Sequence, residues 1–178
     1  METAYFLDHE CRIRRVEGCW NEFASQNEGT EAFAEKVVGR SIWDFTAGFE
    51  VQSFLDAVFL FVHRSKSVFE TKYKCDSADT FRLFSMTVSH ADDGGIRVSH
   101  KLLQQNQRNA PGKLAALENH RCLNRCSLCR HFKLGNEWIN PFAHPDEKFF
   151  PNSHTICPSC SATVRKELGL VLDFPVRS

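Results

Sequence analysis

The order of periodicities along this chain predicts an α+β protein. Two short strands, then helices, then three longer strands describe a five-stranded antiparallel sheet with helices gathered on one face. Two further observations set the limits of that unit. A polar tract over residues 104–112, ending in Pro111-Gly112, interrupts both the helical and the strand period. Beyond it, Cys126-Ser-Leu-Cys129 and Cys157-Pro-Ser-Cys160 form two Cys-x-x-Cys pairs about 27 residues apart, the spacing of a small treble or ribbon module. The expected division is residues 1–108 for the sheet domain, 109–121 for a linker or connector helix, and 122–178 for the four-cysteine module.

The elements follow in order. Strands are expected at residues 4–7 and 12–16, joined by a turn at Asp8-His9-Glu10, and Trp20, Phe23 and Ala24 begin a helical stripe. Phe54, Leu55, Val58, Phe59 and Val62 recur at helical spacing and mark a longer helix. Its apolar run over residues 57–62 is short and flanked by Asp56 and by His63-Arg64, so it reads as a buried helix and not as a membrane span. Three strand-like runs cover residues 68–75, 81–89 and 96–103, with Asp92-Asp-Gly-Gly95 as a hairpin turn. Leu114 and Leu117 give a connector helix over residues 113–120 a narrow apolar stripe.

Length and composition suit one domain with an appendage: 178 residues, 42% of them hydrophobic, with 16 Phe to fill a core. Net charge is zero, which makes no global case for nucleic acid. The distribution is less even. Residues 1–50 are mostly acidic, whereas Lys101, Arg108, Lys113, Arg121, Arg125, Arg130 and Lys133 follow one another with only Glu118 opposing. That stretch could meet a phosphate backbone or an acidic protein surface; a solvated linker is the plainer explanation. The N-terminus carries acids where a signal peptide has a basic region and an apolar run, so a reducing cytoplasm is expected and disulfides fit poorly.

Each cysteine pair offers two thiolates from one tight turn, and two such turns complete a tetrahedral all-sulfur site. The segment between them is poor in aliphatic residues; Phe132, Trp138, Ile139, Phe142, Phe149 and Phe150 can pack around a site but hardly form a core alone. A structural zinc held by Cys126, Cys129, Cys157 and Cys160 is therefore expected, with iron left open by the spacing. Cys122 would extend the run to the spacing with which radical enzymes using S-adenosylmethionine hold an iron–sulfur cluster, but only about fifty residues follow, too few for their barrel. A redox dithiol requires a strand–turn–helix setting, which neither pair is expected to have. No His follows either pair directly, which excludes covalent haem attachment. His144 or His154 could replace a thiolate; His154, three residues before Cys157, also fits a donor to a bound sulfur. Cys11, Cys19 and Cys75 read as small, partly buried hydrophobes.

At this level the residues resemble a known family. Ile13, Asn21-x-Phe23, the Val38-Gly39-Arg40-Ser41-Ile42-Trp43-Asp44-Phe45 stretch before the long helix, and the Lys72-Tyr-Lys-Cys-Asp-Ser77 strand look like a PAS sensory domain over roughly residues 4–108. The glycine at Gly39 would make the turn, and the short helical segment after it would aim Trp43 and Phe45 at the sheet. The C-terminal part is similar to cysteine-paired tails of some bacterial signalling proteins, in which a Trp lies between the pairs and His-x-x-Cys-Pro opens the second; here these are Trp138 and His154-Thr-Ile-Cys157-Pro158. The resemblance implies signal sensing and protein interaction, a cavity whose ligand is unknown, and a dimer by analogy. Flavin photosensors of this type carry a Cys where this chain has Ile42, which argues against light-driven adduct chemistry. Haem-binding relatives use a His in or after the long helix, which makes His63 the haem candidate; a charge partner at the helix end is its plainer role.

Asp44, Asp76, His90 and His100 could serve in acid–base chemistry, yet no pair or triad recurs at diagnostic spacing, and no phosphate-cradling loop or zinc-peptidase signature is present. The expected function is non-catalytic: a bacterial-type cytoplasmic signalling module coupling a sensor domain to a structural zinc site and acting on a signalling protein. The alternatives are a zinc-dependent nucleic-acid-binding regulator and a haem- or redox-sensing protein of the same fold.

Overall fold

A computed structural model of the protein describes residues 1–27, 29–75, 80–107, 123–143 and 151–169. The main sheet has strands β1 (Glu2–Leu7), β2 (Ile13–Gly18), β3 (Phe69–Lys74), β4 (Thr80–His90) and β5 (Ile96–Gln107) in the order β2-β1-β5-β4-β3, every pair antiparallel. Between β2 and β3 come α1 (Trp20–Gln26), α2 (Ala34–Val37) and α3 (Phe49–Ser65). The expected five-stranded α+β architecture is thus present. The expected connector helix with Leu114 and Leu117, and with it Asp76, Arg108, Lys113, Arg121, Cys122, His144, Phe149 and Phe150, lie outside the described residues. Among the described residues no helix is long and apolar enough to cross a membrane.

Register explains how alternation becomes a core. Tyr5 faces Val98, Val98 faces Val88 and Val88 faces Phe69, so one row of side chains crosses four strands on the helix-covered face. Val58, Phe59 and Val62 of α3 close over that face, with Phe54 and Leu55 half-buried beside them. The opposite face holds a much smaller cluster of Ala4, Phe6 and Ala91, where the Arg15 guanidinium lies 3.4 Å above the Phe6 ring.

The Gly39 turn forms as expected, with φ of 86°. Its backbone is stitched to β2 and the turn before it by Gly39 N–H to Ile13 O, Ile13 N–H to Arg40 O, and Ile42 N–H to Cys11 O, at 2.7 to 2.9 Å. The one-turn helix Ile42–Phe45 then buries Ile42 and lays Trp43 against Phe59. Phe45 departs from expectation. It turns outward, 39% exposed, under the Arg40 guanidinium, because a single turn can aim only one side at the sheet. A second departure is the length of β5: the polar residues 104–107 continue the strand, pairing Gln104 to Gln107 with Leu83 to Thr80. Cross-strand backbone hydrogen bonds override the poor strand propensity of Gln and Asn there, and their side chains remain exposed.

The inner face also carries polar groups. His100 stacks on Tyr5 at 5.8 Å, and its Nδ1 lies 2.9 Å from the Tyr73 hydroxyl. Burial pushes both phenols above their ordinary value and the imidazole down to about 4.

Downstream, β6 (Leu123–Cys126), β7 (Phe132–Leu134), β8 (Glu137–Ile139) and β9 (Pro151–Thr155) form a second sheet ordered β8-β7-β6-β9, in which β6 and β9 run parallel. Helix α4 (Pro158–Glu167) follows. Packing runs on from the first sheet into this one: Cys126, Leu128, Cys157, Val164 and Leu168 belong to the same hydrophobic cluster as Val58, Val62 and Val98. Strand β9 lies on α3 and α4 on β3, and the Lys74 amide donates to the Leu128 carbonyl at 2.8 Å. Gly48, which caps the start of α3 with φ of 93°, lies so close to β9 that a Cβ there would come within 2.5 Å of the His154 carbonyl oxygen.

Two measurements test this packing. Gly48→Ala combines a strained φ with that clash, so thermal unfolding should show a loss of about 2 kcal/mol or more; unchanged stability would mean that β9 does not seat on α3. His100 supplies a pH test. The unfolded chain binds its proton near pH 6.5 and the folded chain only near pH 4, a folded pKa lowered by burial. The unfolded state therefore holds more protons across that window, and stability falls as pH drops through it. Urea unfolding at pH 7.5 and 5.5 should show the wild-type protein losing about 1 kcal/mol more than His100→Gln, and equal losses would remove His100 as the source.

Candidate metal centre

The four cysteines are delivered by two turns of different construction. Cys126 ends β6 and Cys129 closes the tight turn after it. The Cys126 amide donates to the His131 carbonyl at 2.8 Å and the Arg130 amide to the Cys126 carbonyl at 3.0 Å. Arg130 completes the turn in the left-handed region, with φ of 67°. The β7–β8 hairpin follows, and Phe132 is buried beneath the turn. Cys157 caps α4, its Sγ accepting the Cys160 amide at 3.5 Å, and Pro158 fills the first helical position, where no amide is needed. Cys160, in the first turn of the helix, points back to the same place.

The parallel pairing of β6 and β9 brings the two turns together. Arg125 lies opposite His154 and Cys126 opposite Thr155, and the Ser127 amide donates to the Thr155 carbonyl at 2.9 Å. As a result, the Sγ atoms of Cys126, Cys129, Cys157 and Cys160 all lie within 4.8 Å of one another. The Cys129 and Cys157 sulfurs are 3.7 Å apart, close to the roughly 3.8 Å edge of a tetrahedron with metal–sulfur bonds of about 2.3 Å. All of the described cysteines are free thiols. The four expected ligands thus converge on a site that could hold one metal ion, and four sulfurs at this spacing are compatible with zinc.

The proton distribution fits the same conclusion. The Cys126 thiol is held far below its ordinary value by hydrogen bonds from Cys129 and Cys160, with help from the Cys157 backbone amide, 3.4 Å from its sulfur. Cys129 is pushed up to about 12 because its proton is shared with Cys126, and Cys160 rises for the same reason. Arg125 and Arg130 supply positive charge alongside. The Arg130 Nε is buried without a hydrogen-bond partner among the described residues, a cost that a doubly negative tetrathiolate beside it would offset. Desolvation, then Arg130 and Arg125, lower the pKa of His154.

Several sequence expectations change here. Cys157-Pro-Ser-Cys160 does sit in a strand–turn–helix setting, directly between β9 and α4. The short, irregular strand hid this, since its residues show no alternation. Besides the contacts among the thiols themselves, the hydrogen bonds to sulfur among the described residues come from the backbone amides of Cys157 and Cys160 and not from His154. His63, the haem candidate, occupies the exposed last turn of α3, with His9 and His90 on either side. The acid–base candidates are scattered: Asp44 pairs with Arg40, His90 with Lys66, and His100 with Tyr73. Sequence reasoning missed the Lys74–Leu128 bond and Arg130 in its left-handed turn; neither carries a residue-type signal. Comparison with protein-family models, with curated proteins and with solved structures finds no match to this chain.

With zinc bound at the four sulfurs, Cys126→Ser and Cys160→Ser should each reduce the metal content from about one ion per chain to near none by plasma mass spectrometry. Cys75→Ser should retain it. Full loading of Cys126→Ser would show that the metal is held elsewhere.

Proposed function

We propose that this chain is a non-catalytic signalling module of bacterial type: a PAS-like sensor domain fused to a structural zinc centre, passing a ligand- or redox-driven change to a protein partner. Support for the sensor half comes from the order of two strands, helices and three strands, closed into one antiparallel sheet with its helices on one face. Ile42 is buried where flavin photosensors of that family carry a cysteine. For the zinc half, four thiolates fill a tetrahedral coordination shell and leave no position for substrate, so the ion stabilises and does not hydrolyse. The thiols call for a reducing compartment, which suits the cytoplasm.

The observation that carries the proposal is the shared core. Cys126, Cys157 and Leu128 pack in one cluster with α3 and the sheet, and β3 is hydrogen-bonded through Lys74 to the cysteine turn. A displacement of α3 cannot be confined to the sensor when β9 rests on the same helix. The exposed apolar side chains of Val38, Phe45, Phe49 and Leu60 provide contact surface for a partner or a second copy of the chain.

A specific observation favours one second function. Arg125 and Arg130, both half-buried, act electrostatically on His154 and so bring two positive charges to the neighbourhood of β9. A nucleic-acid-binding regulator would use those charges, and its affinity would fall steeply with salt.

Hydrogen–deuterium exchange on zinc-loaded and chelated protein tests the coupling. Zinc removal should raise exchange in Phe49–Ser65 and Phe69–Lys74 as well as around the cysteines, by about tenfold or more. Changes confined to residues 123–169 would sink the signalling proposal, and salt-sensitive DNA binding lost in an Arg125→Ala, Arg130→Ala double variant would replace it with the regulator.

A further inference from the structure

Three of the chain's eight histidines lie at one end of the main sheet, with His63 in ring contact with each of the other two. His9 comes from the β1–β2 turn, His63 from the last turn of α3 and His90 from the end of β4. The start of α3, at Gly48, is the end that touches β9. A 17-residue helix separates His63 from it by roughly 25 Å, so this group is distinct from the cysteine centre.

The ring of His63 lies 5.8 Å from that of His9 and 5.9 Å from that of His90, centre to centre. Two imidazoles bound to one tetrahedral ion at about 2.0–2.1 Å have centres roughly 5 Å apart. The two separations that His63 makes are wider by less than about 1 Å, and an ion shared by all three rings also requires His9 and His90 to turn toward each other across it. The supports are firm. The Asp8 carboxylate accepts the amides of Glu10 and Arg12 at 2.9 Å each and fixes the turn that bears His9. The tip of the His9 ring lies against the β4–β5 turn, 3.9 Å from where a Cβ on Gly94 would be. Lys66, in the left-handed position that ends α3, directs its ammonium to within 2.6 Å of His90 Nε2. An ammonium only donates, so that nitrogen presents its lone pair, with a cation already in front of it.

We propose that His9, His63 and His90 form a second metal site, which takes a divalent cation of the zinc or nickel type through imidazole nitrogen and releases Lys66 as the cation displaced. Imidazole suits these ions, and water completes the coordination. The four sulfurs already lie within 4.8 Å of one another, a closeness that only they reach among the described residues. Capture by the histidines therefore requires the rings to turn about χ2 and the ammonium to leave. Both steps cost affinity, so this site exchanges its ion where the cysteine centre retains it.

The test is a Ni2+ titration of the full chain, with zinc at its cysteines, at pH 7.5. Heats of binding give the affinity, plasma mass spectrometry counts both metals, and imidazole nitrogen shifts identify the ligands. About one Ni2+ per chain should bind without displacing zinc, with shifts at His9, His63 and His90. His63→Ala should weaken binding by about tenfold or more, while Lys66→Ala should tighten it severalfold by removing the competing charge. Both positions are exposed, and near-ultraviolet circular dichroism checks that the variants fold. Nickel found only in exchange for zinc, an affinity unchanged in His63→Ala, or weaker binding in Lys66→Ala would each overturn the proposal.

Discussion

The convergence of four cysteine sulfurs on one point orders the described residues after the main sheet and, through packing, bears on one wall of that sheet as well. A segment with so few aliphatic side chains cannot generate its own cohesion. It borrows from two sources: the geometry of four sulfurs, which fixes where two turns must lie, and the apolar surface of α3 and β3, against which Leu128, Val164 and Leu168 are buried. Neither source suffices alone. The second sheet is small and its strands are short, so the sulfurs add to the few bonds that set the parallel register of β6 on β9, such as Ser127 N–H to Thr155 O; α3 covers the backbone around His154.

Much of the first domain was legible because alternation and helical spacing are local signals. The buried stripe Phe54, Leu55, Val58, Phe59 and Val62, the Asp92-Asp-Gly-Gly95 turn and the Gly39 turn all lie where residue type alone put them. The departures share a cause. Residues 104–107 are polar and read as linker, yet they extend β5 because β4 offers backbone partners, and pairing with a distant strand leaves no trace in local composition. Phe45 was expected to point inward with Trp43 from the resemblance carried by the Gly39–Phe45 stretch, but Ile42 takes the inward side of its single turn.

The four cysteines were legible as a set because Cys-x-x-Cys is a spacing with a mechanical reason behind it. Their surroundings were not. That Cys157 caps a helix, that Arg130 adopts a left-handed turn, and that His63 lies against both His9 and His90 are all consequences of which elements lie side by side. The same holds for His100, which from sequence is one of several possible proton carriers. Its place between Tyr5 and Tyr73 makes it a half-buried, uncharged imidazole beside two phenols.

The order of the main sheet constrains how the protein is made. Strand β1 lies between β2 and β5, with Tyr5 opposite Val98. Strand β1, which precedes every other described strand, therefore occupies a central position that cannot be completed until β5 has been synthesised. Until then the β1–β2 hairpin keeps one open edge bearing Tyr5, Phe6 and Leu7, and the long loop between β1 and β5 must close before its contacts can reward it. The nascent chain thus passes through an interval of exposed edge and apolar surface before Cys126, Cys129, Cys157 and Cys160 have been added, so the early part of the fold forms without help from their cluster.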